Sequence, residues 1–189
     1  ASAAGSNANA FVIDSSTGQI SLDSALDYAS PTDDNTNPDY ELSVTATDDA
    51  GNTKTQTVTV VINDVNEAPT LDTNAGVTVD EGSTANQITN AELAASDPEQ
   101  SAGSITYDVT TAPSDGTLFV DGGSGGTDDG TRDGESAIGT GTFTQADIDA
   151  GNLLYSHDGS EASTDTFDFD LKDGKGGTTA GNTFSIALD

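Results

Sequence analysis

The sequence predicts an all-β chain of two β-sandwiches in tandem, the first of them incomplete. Three observations carry this. Short β-branched or alternating runs recur along the whole length, Gly and Asp turn signals separate them, and an acidic stretch ending in proline divides them into two groups. With 189 residues, 32% apolar and 5% aromatic, the chain suits two small domains with thin cores.

The first runs are 11–13 and 19–22, separated by Ser16-Thr17-Gly18. Runs 40–47 and 55–62 flank Asp49-Ala50-Gly51-Asn52, a hairpin pattern. Further runs follow at 77–79, 104–110, 117–120, 153–155, 166–171 and 183–188, with Asp-Gly turns at 115, 121, 129, 133, 158 and 173. In "DTFDFDL", Phe167, Phe169 and Leu171 share one face and Asp168 and Asp170 the other, as a half-buried strand requires. Two helical turns serve as connectors. Thr144 caps Gln145-Ala146-Asp147, with Gly151 closing the turn, and Asn90 before Ala91-Glu92-Leu93 is a lesser version. Segment 121–136 reads as a long hairpin loop.

These signals place a first unit at 1–64, a linker at 65–69 and a second unit at 70–189; Pro69 cannot donate to a sheet ladder and marks the break. A sandwich of this kind needs about seven strands, yet four runs precede Asp64. Either a longer protein supplies the rest, or a neighbouring chain adds strands to the open edge. The second option would make the chain a filament subunit.

Charge sets the next constraint. Four Lys and Arg face 33 Asp and Glu, for a net charge of -29. That balance excludes nucleic acid, whose phosphates need basic partners, and a basic membrane-binding patch. No run of about 18 apolar residues occurs, so no helix is expected to insert in a membrane. Cysteine is absent, which removes disulfides and thiolate metal sites; an extracellular domain then needs another staple. Solubility accounts for acidity in general but not for its clustering. "INDVNEAPT", residues 62 to 70, carries Asn63, Asp64, Asn66 and Glu67 with no basic residue nearer than Lys54. Asp is also the usual oxygen ligand of short calcium loops.

Residues 11 to 69 resemble the C-terminal portion of a cadherin repeat, through "FVIDSSTGQISL", "LDYA", "YELSVTATDDAGN" and "VTVVINDVNEAP". Residues 70 to 189 resemble a chondroitin sulfate proteoglycan repeat, a cadherin-like relative, through "VDEGSTANQIT", "LAASDPE", "ITYDVTTAPSDGTLFV", "FTQADIDAGNLLYSHDGSE" and "DTFDFDLKDGKGG". The resemblance implies tandem immunoglobulin-like, cadherin-like β-sandwiches. It also implies Ca2+ between them, held by Asp27, Asp64, Asn66 and Glu67 together with Asp97, Glu99 and Asp173. The cadherin "LDYA" motif ends in Glu, whereas Ala29 stands here, so one or two ions are expected rather than three. Asp48, Glu81 and Glu161 match positions that face outer linkers and form incomplete half-sites.

The function implied is a calcium-stiffened extender or adhesion module of a large extracellular surface protein, of the kind that builds bacterial adhesins. Its partners would be neighbouring repeats or identical chains, with cell-surface or matrix ligands beyond them. The filament subunit is one alternative. A carbohydrate-binding accessory module is another, but it needs an aromatic groove from a chain with no Trp and 4 Tyr.

Enzymatic signals are weak. Gly122-Gly123-Ser124-Gly125-Gly126 fits a hydrolase nucleophile pattern without the strand-turn-helix that such a serine needs. The same run misses the repeat-in-toxin calcium pattern at Thr127, and "DGTRDGE" misses the EF-hand at Thr131 and Thr140. His157, the single histidine, sits at a strand end and reads as a packing residue.

Overall fold

The computed structural model describes residues 2–4, 10–28, 39–121 and 136–189. Ala29, the glycine run 122–126 and the start of the EF-hand-like pattern lie outside the described residues. Two compact units, Ala1–Val65 and Asn66–Asp189, make up the chain.

The first unit holds β1 (Ser2–Ala4), β2 (Phe11–Ile13), β3 (Ile20–Leu22), β4 (Asp39–Thr47) and β5 (Thr53–Val61). β2 and β3 form a hairpin whose turn is held by Asp14, which accepts the Ser16 and Thr17 N–H groups at 2.7 and 3.0 Å. β4 and β5 pair in unbroken register from Asp39↔Val61 to Thr47↔Thr53. Asp48 closes that hairpin by accepting the N–H groups of Ala50 and Asn52. Five strands are therefore described where four runs are expected. The fifth, β1, lies in "SAA", which has no strand pattern and owes its conformation to pairing with β4. The core is small: Ala10, Phe11, Tyr40 and Leu42, with Phe11 and Tyr40 edge to face at 5.5 Å. Along β5 every residue is exposed except half-buried Val60.

The second unit contains β6 (Thr70–Asn74), β7 (Val77–Val79), β8 (Asn86–Gln87), β9 (Leu93–Ser96), β10 (Thr106–Thr111) and β11 (Gly116–Val120). It continues with β12 (Ser136–Ala137), β13 (Thr142–Thr144), α1 (Gln145–Asp149), β14 (Leu153–His157), β15 (Thr164–Lys172) and β16 (Thr178–Leu188). One sheet has the order β13-β10-β15-β16-β7, a second β12-β11-β14-β8, and β6 pairs with β9. All pairs are antiparallel except β16 with β7. Side chains from every sheet meet in one core that includes Tyr107, Leu118, Phe143, Tyr155, Phe167, Phe169 and Phe184. β15 alternates as its sequence predicts: Phe167, Phe169 and Leu171 are fully buried and Asp168 and Asp170 half-buried.

Two connectors refine the reading. Thr144 caps α1 in a full capping box with Asp147. Asn90 is not a cap: Thr89 takes that role, its N–H and hydroxyl both donating to Glu92 Oε2, and the segment stays a turn because β9 begins at Leu93.

Inside this apolar core sits Gln145, 4% exposed. Its Oε1 accepts the Ala95 N–H at 2.8 Å and the Tyr107 hydroxyl at 2.6 Å, and its Nε2 donates to Asn90 and Asp149. The amide is thus fully satisfied and ties α1 to β9 and β10. Gln145→Leu strands two buried groups, so we expect the second unit to lose about 2 to 5 kcal/mol in urea melts. A loss below about 1 kcal/mol would mean that the amide does not tie α1 to β9 and β10.

Candidate metal centre

The site is built from the segment entering the second unit and two aspartate-held turns of that unit. In the turn after β9, Asp97 Oδ1 accepts the N–H groups of Glu99 and Gln100, each at 2.9 Å. In the turn between β15 and β16, Asp173 Oδ1 accepts the N–H groups of Lys175, Gly176 and Gly177 at 2.7, 3.0 and 3.0 Å. Asp173 Oδ2 accepts the Gly177 N–H and the Asn66 side-chain amide. Four donors, with the Gly177 N–H shared between both oxygens, saturate the carboxylate. The Asn66 amide also donates to the Glu67 carbonyl at 2.7 Å, and the Thr179 hydroxyl donates to the Pro69 carbonyl.

Gly177 makes this docking sterically possible. A Cβ there would lie 2.5 Å from the Glu67 carbonyl oxygen and 2.8 Å from Ala68 Cα, besides meeting Asp173 Oδ2. The backbone of 67–68 passes where any other side chain would begin.

Docking brings carboxylates together. The Glu67 N–H donates to Glu99 Oε2 at 3.3 Å, and oxygens of the Glu67 and Glu99 carboxylates lie within 4.8 Å of one another. A hydrogen bond between these two carboxyls raises the Glu99 pKa above its ordinary value, with burial and repulsion from Glu67 and Asp97 adding to it. Asp97 Oδ2 and Glu99 Oε1 are buried and accept no hydrogen bond. Buried anionic oxygens without donors are costly. An all-oxygen donor set with unspent lone pairs fits a hard divalent cation, and calcium, which takes about six to eight oxygens, fits best.

Asn66, Glu67, Asp97, Glu99 and Asp173 thus come together within the second unit. Their roles differ, however. Asp173 has its oxygens spent on protein donors and holds Asn66, while Asp97 and Glu99 each keep one buried oxygen without a hydrogen-bond partner. Asp27 is exposed after β3, and Asp64 is exposed in the extended stretch after β5. Asp48 is engaged in its own turn, including the Asn52 amide at 2.8 Å. Glu81 and Glu161 are exposed, the former with its N–H on the Asp189 carbonyl. Gly177 is the residue missed by sequence reasoning; the glycine pair closing "DGKGG" was its only signal.

His157 is 3% exposed. Its Nδ1 accepts the N–H groups of Gly82 and Gly159 at 2.8 and 3.2 Å, which places the ring proton on Nε2. Nε2 is the nitrogen near Ser160 Oγ, at 3.5 Å, so no lone pair is available there to activate the serine. The histidine packs and pins, as its sequence setting suggests.

The Cadherin-like family pattern matches residues 69–188. This chain belongs to the cadherin-like family. The Cadherin domain pattern additionally matches residues 1–63. Mouse extracellular matrix organizing protein FRAS1 is 36% identical over 120 residues, which cover 64% of this chain and 3% of that protein. Human chondroitin sulfate proteoglycan 4 is 32% identical over 126 residues, covering 66% of this chain and 5% of that protein. The chain therefore spans a small fraction of either relative. A protocadherin gammaB7 EC3-6 cis-dimer structure aligns over 100% of this chain and 40% of that chain, with TM-score 0.54 and 19% identity, and supports the cadherin-like β-sandwich fold. Cadherin domains are extracellular structural and adhesion modules, and this cadherin-like chain is one of them. No helix among the described residues is long and apolar enough to cross a membrane.

The two turns respond oppositely to pH. The Asn66 amide, followed by the turn N–H groups, lowers the Asp173 pKa below its ordinary 3.8. Its stabilisation is complete above 3.8 and is lost as pH falls through the lowered value. Asp173→Asn should therefore melt below wild type at pH 7 and approach it in strong acid. Glu99, with a raised pKa, costs stability as pH climbs from 4.5 through its folded value. In chelator, Glu99→Gln should melt above wild type at pH 7 and match it near pH 4. The same ordering of melts at both pH values would contradict this electrostatic account.

Proposed function

We propose that this chain is a calcium-stiffened extender of a large extracellular surface or matrix protein. The observation that carries the reading is the pair of buried, unpartnered oxygens, Asp97 Oδ2 and Glu99 Oε1, beside the Glu67 carboxylate. Glu67, Asp97 and Glu99 supply carboxylate ligands, Asp173 positions Asn66, and the cadherin pattern adds Asp27 and Asp64. Asp48, Glu81 and Glu161 would serve further ions in a longer array. A bacterial adhesin is our reading of the parent protein, on the repeat resemblance.

Without a cation, Glu67 and Glu99 repel and the segment around 66–69 is held by hydrogen bonds alone. With calcium, the same carboxylates become a clamp on that segment, and the chain stiffens where it enters the second repeat. Extracellular modules bind calcium at about 0.1 to 1 mM. An ion present at about 100 times its dissociation constant adds about 2.7 kcal/mol, a large share of a small domain's stability.

Thermal melts and small-angle scattering across a calcium titration test the proposal. Calcium should raise the melting temperature and narrow the distribution of molecular dimensions. Glu99→Gln should abolish most of that response, whereas Glu161→Gln should retain it. A chain that melts and scatters identically in chelator and in about 5 mM calcium, well above that affinity range, is not a calcium-stiffened module.

A further inference from the structure

A concavity of about 350 Å3 opens in the second unit between β9, the segment 100–105 and α1. Its floor is apolar, with Ile105 buried and Ala94 and Ala102 half-buried. Its rim is polar, with Ser96 and Asp149 exposed and Gln100 half-buried. The buried Gln145 fixes that rim from beneath. Its amide nitrogen donates to Asp149 Oδ1 at 2.9 Å, and its oxygen is held by the Ala95 N–H and the Tyr107 hydroxyl. Asp149 therefore has one oxygen spent and the other, Oδ2, without a hydrogen bond, and the side chains of Ser96 and Gln100 have none. Groups oriented by a satisfied buried amide and left open on one side form a preorganised rim.

Charge selects the ligand. Among the described residues the ion pair is Lys172 with Asp108, so Asp149 has no cation. Asp149 ends α1, whose last turn holds no basic residue, and the carbonyl end of a helix favours positive charge. Asp72, at the irregularity between Leu71 and Thr73 on β6, adds to the field: burial first, then the charges of Asp72 and Asp149, raise the Tyr107 pKa above its ordinary value. We propose that this cavity receives an arginine side chain of a partner protein. The planar guanidinium N–H groups meet Asp149 Oδ2 and the side-chain oxygens of Gln100 and Ser96, while the aliphatic stem lies on Ala94, Ala102 and Ile105. A lysine brings a point charge without the fixed fork of donors that several acceptors on one rim require. The guanidinium is also less strongly hydrated than an ammonium, so it loses less on entering a partly apolar cavity. The net charge of -29 draws a partner with a basic face, and the cavity sets which side chain enters.

N-acetyl-arginine amide is the probe, with its uncharged isostere N-acetyl-citrulline amide as the control. In nitrogen–proton correlation spectra of the full chain, the arginine compound should shift the amides of 94–102 and 145–149, with a dissociation constant on the order of millimolar. The citrulline compound should leave them in place. Asp149→Asn keeps an oxygen for the Gln145 amide and removes the charge, so the melt should hold while binding weakens about fivefold. Ala102→Leu fills the floor and should abolish binding with Asp149 intact. Glu99→Gln should bind arginine as the wild type does, in chelator and in calcium, which separates this cavity from the calcium proposal. No shift at about ten times the expected constant overturns the inference. So do equal shifts with citrulline, unchanged binding in Asp149→Asn, or shifts spread evenly over exposed carboxylates such as Asp48, Glu81 and Glu161. Methyl glucoside shifting the same amides where arginine does not would overturn it too, and would assign the cavity to a neutral sugar.

Discussion

A chain with 33 carboxylates and 4 basic side chains cannot neutralise itself by ion pairing. Among the described residues the ion pair is Lys172 with Asp108, at the surface, where such pairs add little. Backbone N–H groups stand in for cations instead. Asp14, Asp48, Asp97, Asp158 and Asp173 each hold a turn by accepting N–H groups within a few residues. This explains why a short carboxylate is preferred: Asp reaches the N–H groups that directly follow it in its own turn. The same constraint produces the candidate site, where two turns and an incoming segment bring in more anionic oxygens than there are N–H groups to cap them.

The sheets of the second unit act as the frame for those turns. The turn at 97–100 leaves β9 and the turn at 173–177 joins β15 to β16, and both strands are anchored in the aromatic core. Polar pins fix the frame from inside. Gln145 joins the helix to β9 and β10. Asp165, 3% exposed on the inward face of β15, accepts the Tyr155 hydroxyl and the N–H groups of Ser114, Asp115 and Thr166. The tyrosine is held in its neutral form in return, because burial and the adjacent Asp165 carboxylate raise its pKa. A frame with satisfied buried bonds can hold a neighbouring set of unsatisfied ones in place.

The fold was legible where side chains alternate or branch. β4, β5, β10, β15 and β16 were readable because one face of each presents apolar residues at a period of two. β1, β8 and β12 were not, because "SAA", "NQ" and "SA" carry no pattern and are strands only through what they pair with. Asp165 escaped for the opposite reason: an acidic residue on the inward face contradicts the alternation that places Phe167 and Phe169. The site residues were readable through the family motifs, but their division of labour was not. Whether a carboxylate faces a metal or its own turn depends on how many N–H groups surround it, and for Asp173 and Asp97 that number is set by backbone geometry. Asn90 and Thr89 show the same limit: adjacent residues with similar capping ability, distinguished by where Glu92 reaches.

The parallel pairing of β7 with β16 has a temporal meaning. Ile186, Ala187 and Leu188 lie beside Val77, Thr78 and Val79, so the second unit joins its first residues to its last. Closing that contact requires nearly the whole unit, and long-range closure of this kind slows folding. The five-stranded sheet therefore cannot be completed until residues about a hundred positions apart have met, and this edge is expected to close late in folding.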